Sequence, residues 1–156
     1  MGVQGSGKTT VGQALATRLS WPFADADDFH SAANKSKMAA GTPLTDADRA
    51  PWLAAIRAAI DRAATEGHNL VITSSALKEK YRDQLVTPDV KLVWLKGDQS
   101  LIAERLTSRP HHFAKSNLLA SQFDQLEEPH NALTIDINQS VDAIVSEIIS
   151  ALHLTA

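Results

Sequence analysis

Apolar positions along the chain fall into short runs of β-branched and large residues, separated by longer stretches with helical spacing. Residues 70–73, 91–95 and 133–137 read as strands. Residues 21–24 form a further brief run ending at Asp25, and Pro22 confines it to the start of a strand. Between these, residues 46–66 carry Trp52, Ile56, Ile60 and Ala63 at helical spacing, with Thr45-x-x-Asp48 as a capping box and Gly67 as a stop. Residues 9–19, with Val11, Leu15 and Leu19 on one stripe, and residues 78–86, 100–108, 116–126 and 139–152 supply the other helices. Strands alternating with helices predict an α/β fold in three layers, a mostly parallel sheet covered on both faces. Ligands of such sheets bind beyond the carboxyl ends of the strands.

Composition narrows the partners. At 156 residues the chain is the size of one domain, and 44% hydrophobic with 21% charged residues excludes general disorder. A formal net charge of −3 shows no basic field and argues against a nucleic-acid partner. No apolar run approaches the ~18 residues of a membrane helix, so no membrane partner is expected. The absence of cysteine rules out disulfides and thiolate metal sites and suits a cytoplasmic location.

The octapeptide Gly2-Val3-Gln4-Gly5-Ser6-Gly7-Lys8-Thr9 fits G-x-x-x-x-G-K-[ST], a phosphate-binding loop for ATP or GTP. Its glycines let backbone amides converge on a phosphate, Lys8 reaches the β- and γ-phosphates, and the Thr9 hydroxyl holds Mg²⁺. The competing reading is a glycine-rich tail. Such a loop normally hangs from a buried strand, yet only Met1 precedes Gly2. The expectation is therefore either a start at an internal methionine or a fold without that strand.

Asp25-Ala26-Asp27-Asp28-Phe29-His30 follows the first visible strand. One carboxylate there can orient water on Mg²⁺ and another can accept a proton from an attacking hydroxyl; a polar turn with a helix cap is the alternative. Arg49, Lys78 and Arg82 are candidates for gripping an anionic substrate, although Lys78, Glu79, Arg82 and Asp83 also fit a solvated helix face. Arg105 and Arg109, spaced i,i+4 before Pro110, suit a flap closing over a triphosphate, or a basic helix end complementing its own dipole. The histidines lack metal-site spacing, and Asn34-Lys35-Ser36-Lys37 lacks the aspartate of a guanine-specifying N-K-x-D.

Taken together these motifs resemble the gluconokinases, small P-loop carbohydrate kinases. Beyond the phosphate loop and the acidic hexapeptide, the resemblance lies in Asn34-x-x-Lys37-Met38-x-x-Gly41-x-Pro43-Leu44-x-Asp46-x-Asp48-Arg49-x-Pro51-Trp52-Leu53 and in Ser74-Ser75-Ala76-Leu77-Lys78-x-x-Tyr81-Arg82-Asp83-x-Leu85. It continues through Arg105-Leu106-x-x-Arg109-x-x-His112-Phe113 and Leu118-Leu119-x-Ser121-Gln122-Phe123. Departures are Ala26 for glycine, Ser31 for proline and Ser74 for cysteine. The resemblance implies one kinase domain with a lid at about residues 105–125, ATP and Mg²⁺ as cofactors, gluconate as substrate and a homodimer. It places the missing strand mid-sheet, between residues 70–73 and 91–95. For the nucleotide it implies Gly2, Gly5, Ser6, Gly7, Lys8, Thr9 and Thr10, with Arg105 over the adenine and Arg109 over the phosphates. For the metal it implies Thr9 and Asp25, and for catalysis Lys8, Asp27 and Arg109. Asp27, His30, Arg49, Lys78, Arg82 and His112 would face the sugar acid. The rivals are a shikimate- or nucleotide-kinase-like enzyme and an inactive, truncated nucleotide-binding relative.

Overall fold

The structure, a computed structural model, describes residues 1–107 and 115–156. Helix α1 (Lys8–Leu19) leads to β1 (Phe23–Asp25), a 3₁₀ turn (Ala26–Phe29), α2 (Ala32–Ala39) and the long α3 (Asp46–Glu66). Then follow β2 (Val71–Thr73), α4 (Glu79–Leu85), β3 (Val93–Lys96), α5 (Gln99–Thr107), α6 (Lys115–Gln125), β4 (Leu133–Asp136) and α7 (Val141–Leu152). The expected elements recur with ends shifted by up to two residues. Pro22 explains one shift: it has no N–H, and its carbonyl accepts from Val71 N at 3.0 Å, so the strand itself begins at Phe23. Helix α2 was not anticipated. It starts on Ser31, whose hydroxyl accepts from Asn34 N.

The strands pair as two parallel ribbons rather than one continuous sheet, β1 with β2 (Phe23 opposite Val71) and β3 with β4 (Val93 opposite Leu133). Among the described residues, β2 and β3 do not pair with each other. Helices cover both faces. Thr73 of β2 meets α1, whereas Ile72 turns the opposite way and packs with Ile56 of α3. The larger core joins Val11, Leu15 and Leu19 of α1 to Ile135 of β4 and to Ile144, Val145 and Ile148 of α7.

Close packing at Gly12 sets the height of α1 over the strands. A Cβ there would stand 2.5 Å from Thr73 Cγ2 and 2.9 Å from Phe23 Cε2, too near for any real contact. Gly12→Ala is expected to destabilise the fold by about 1–3 kcal/mol through overpacking, read as a lower urea midpoint at unchanged slope. A midpoint equal to wild type would show that α1 rides higher than described.

Candidate active site

Within each ribbon the strands run parallel, and the carboxyl end of β1 brings its acidic residues against the phosphate loop. Gly7 caps α1 with φ 90°, a left-handed backbone that favours glycine, and lets the loop turn directly into the helix. Lys8, the first helical residue, folds its ammonium back to the Val3 carbonyl at 2.9 Å. Burial pulls the Lys8 pKa below its ordinary value, while the nearby carboxylates of Asp27 and Asp25 push it back up.

Those two carboxylates arrive from β1. The last strand residue, Asp25, accepts from the Thr9 hydroxyl at 3.0 Å through Oδ2 and from Asp27 N at 3.1 Å through Oδ1. The second bond caps the 3₁₀ turn and fixes Asp27 at the surface beside the loop. The cap reading of this motif is therefore realised, and the same side chain also meets Thr9 of the phosphate loop. Thr9 and Asp25 offer oxygen donors side by side, the ligand type a hard divalent cation takes, usually alongside substrate phosphates and water. Among the described residues no group of three or more His, Asp and Glu side chains could hold a metal without such help.

Trp52 supports this turn from α3. Its indole N–H donates to the Ala26 carbonyl at 2.7 Å, and its ring stacks on His30 with centroids 4.6 Å apart and planes 5° from parallel. His30 is buried, with Nδ1 3.5 Å from the Asn34 amide nitrogen, which in turn donates to Asp48 O at 2.8 Å. Burial lowers the His30 pKa, Asp27 opposes this, and Arg49 and Lys35 add to it, so the imidazole is neutral at pH 7. Trp52→Phe keeps a stacking ring but strips the donor from a buried carbonyl between the two aspartates. Unfolding free energy should fall by about 1–3 kcal/mol, measured by urea titration. Full retention would mean another donor replaces the indole.

Around the rim, Arg49 donates through Nη1 to the Leu44 carbonyl and lies 5.5 Å from the Tyr81 ring centroid. Tyr81 donates its hydroxyl to Asp46 at 2.6 Å, and Lys80 joins the same carboxylate. Lys80 first and Tyr81 second hold the Asp46 carboxyl down at about 2, and the capping-box carboxyl of Asp48 is held at about 2 mainly by Lys37. These ties fix the start of α3 against α4. Lys78 stands at the N-cap of α4, half-buried.

Arg82 lies deeper than a solvated helix face allows. It is 5% exposed, and Nη1 donates to the Ala76 and Leu77 carbonyls at 3.1 and 2.7 Å. Ala76 has φ 36°, a strained value for a residue with a side chain, and Arg82 pins it there. Arg105 reaches the other way, donating to the Ile137 carbonyl at 2.8 Å. Arg109 and His112 lie outside the described residues, as does the middle of the expected lid.

Two contributors were given no contact by the sequence, although Gln122 stands in one of the strings that carry the resemblance. The carboxylate of Glu127 accepts from Glu79 N at the start of α4, and Gln122 Oε1 accepts from Gln4 N inside the phosphate loop. The first had a usable signal, since α4 has no side-chain cap of its own and an acid must come from elsewhere. The second had none.

A phosphate loop opening a helix beside an acid-bearing strand end, on parallel strands layered with helices, defines a P-loop phosphotransferase. A family model described as Shikimate kinase matches residues 4–153. A probable gluconokinase of Dictyostelium discoideum is 44% identical over 167 residues, covering 97% of this chain and 84% of that protein. The gluconokinase of Gluconobacter oxydans (strain 621H) is 43% identical over 154 residues, covering 96% and 86%. The crystal structure of a gluconokinase from Sinorhizobium meliloti 1021 superposes with TM-score 0.87 at 41% identity, covering 98% of this chain and 89% of that one. The chain belongs to the gluconokinase family.

Proposed function

We infer that the protein phosphorylates D-gluconate at its primary hydroxyl, with ATP as phosphoryl donor and Mg²⁺ as the accompanying cation. The hydroxyl oxygen of gluconate forms a bond to the γ-phosphorus as the bond to the β,γ-bridging oxygen breaks. ADP leaves, and the hydroxyl proton passes to the Asp27 carboxylate. Lys8 and the loop amides of residues 2–10 hold the phosphates, and charge stabilisation with alignment supplies most of the rate. Mg²⁺, bound next to Thr9 and Asp25, would neutralise phosphate charge. Arg49 and Lys78 are assigned to the carboxylate and hydroxyls of the sugar acid, with neutral His30 as a hydrogen-bonding partner. Arg82 is assigned to holding the loop that presents Lys78. Arg105 is assigned to the adenine side, and Arg109 and His112 to the closing segment.

The observation that carries this reading is the Thr9–Asp25 bond at 3.0 Å with Asp27 anchored on the same carboxylate, which joins loop and acid pair into one site. Identity near 40% over almost the whole chain favours gluconate over the shikimate and nucleotide alternatives. The solved shikimate kinases share only 19–20% identity and speak for the fold alone. A coupled assay of ADP formation against gluconate, shikimate and nucleoside monophosphates should show turnover with gluconate at least about tenfold above any other acceptor, a discrimination of ~1.4 kcal/mol. Faster turnover with shikimate or a nucleotide would overturn the substrate.

A further inference from the structure

Lys78 stands where an irregular loop turns into α4, with extended backbone at φ −92° and ψ 142°, and the helix it opens has no side-chain cap from that position. A group from elsewhere in the chain must therefore set the direction in which its side chain leaves the loop. Glu127 touches the backbone on both sides of it. Its N–H donates to the Leu77 carbonyl at 3.0 Å, and its carboxylate accepts from Glu79 N. The Leu77 carbonyl also takes Arg82 Nη1, so the peptide ahead of Lys78 is held from two directions.

Glu127 can act as a clamp because its own segment is anchored. Helix α6 ends in a turn, Leu126 N donating to Phe123 O at 3.2 Å, with both side chains packed on the larger core. The next residue, Glu128, pairs at 3.2 Å with Lys96 at the carboxyl end of β3. Earlier in the same stretch, Gln122 accepts from Gln4 N. Residues 122–128 thus touch the phosphate loop, the end of β3 and both flanks of Lys78.

Given the assignment of Lys78 to the sugar acid, on which this rests, we propose that Glu127 is a positioning residue for the acceptor: it aims Lys78 at the sugar acid and, through the stretch it shares with Gln122, keeps that lysine in register with the phosphate loop. Its charge alone would act the other way. A carboxylate beside a lysine that grips an anion opposes the anion, so by electrostatics its removal would tighten acceptor binding, whereas loss of the aim of Lys78 loosens it. The two effects differ in sign.

Steady-state kinetics of wild type, Glu127→Ala, Glu127→Gln, Lys78→Ala and the Lys78→Ala, Glu127→Ala double variant test this. Glu127→Ala should raise the KM for gluconate about tenfold while the KM for ATP stays within about twofold of wild type. Glu127→Gln keeps an acceptor oxygen at the same reach and should return to within about threefold of wild type. In a chain already carrying Lys78→Ala, the Glu127→Ala change should add less than about twofold, because its effect passes through that lysine. An unchanged or lowered KM for gluconate, an equal rise for ATP, or full additivity in the double variant would overturn the proposal. A wild-type chain that prefers another acceptor would overturn the substrate instead, and the same cycle is then read with that acceptor. Amide hydrogen exchange at Glu79 reads the clamp without turnover: it should be about tenfold faster in Glu127→Ala and near wild type in Glu127→Gln, and equal rates in all three chains would contradict the clamp.

Discussion

Lys8→Ala is expected to lower kcat by ~10³-fold or more and to weaken ATP binding itself. The side chain leaves α1 at its first residue, is largely shielded from water, and carries its ammonium between the Val3 carbonyl and the field of Asp25 and Asp27. Removing it takes one positive charge from a place where two carboxylates already oppose incoming phosphates, so the loss falls on both ground-state binding and transfer. Titration calorimetry with ATP and Mg²⁺ separates the two contributions. Unchanged affinity in the variant would show that the ammonium does not meet the nucleotide, and the phosphate-loop assignment would fall with it.

Asp27→Asn is expected to cost ~10²–10⁴-fold in kcat while ATP affinity stays within about twofold of wild type. The amide is nearly the same size and keeps the backbone N–H that Asp25 accepts, so the 3₁₀ turn survives. What disappears is the carboxylate proposed to accept the proton of the attacking hydroxyl. Because Asp27 is exposed and Asp25 makes the turn-capping bond, the substitution separates chemistry from folding unusually well. Ordinary turnover would refute the role assigned to this carboxylate, whereas a matching loss of ATP affinity would move it to the nucleotide.

Local signals carried most of the fold. Helix α3 begins and ends where its capping box and Gly67 place it, because those interactions lie within a few residues of one another. The phosphate loop and the acid pair were legible for the same reason, each being a short string whose chemistry depends on adjacent residues. Helix α2 was not. Its sequence Ala-Ala-Asn-Lys-Ser-Lys-Met-Ala has little apolar periodicity, and Asn34 is tied to Asp48 O, fourteen positions away. Arg82 shows the same limit from the other direction. Its spacing from Lys78 fits a charged helix face, and only the tertiary fold reveals that it holds the strained Ala76 and Leu77 carbonyls. Trp52 read as a core residue and is one, yet its indole N–H also fixes the segment bearing both aspartates. The pairing of the strands as two ribbons, and the bonds of Met1 to Val93 and Leu95, came from the structure.

Phosphorus NMR of the enzyme with ATP, Mg²⁺ and gluconate follows the transferred group itself. The γ-phosphate signal should be replaced by a phosphomonoester coupled to the protons on C6 of gluconate, and Asp27→Asn should suppress this in step with ADP release. Appearance of the γ-phosphate as inorganic phosphate, or as an ester on another carbon of the sugar acid, would contradict a site in which loop and acid pair act on one primary hydroxyl.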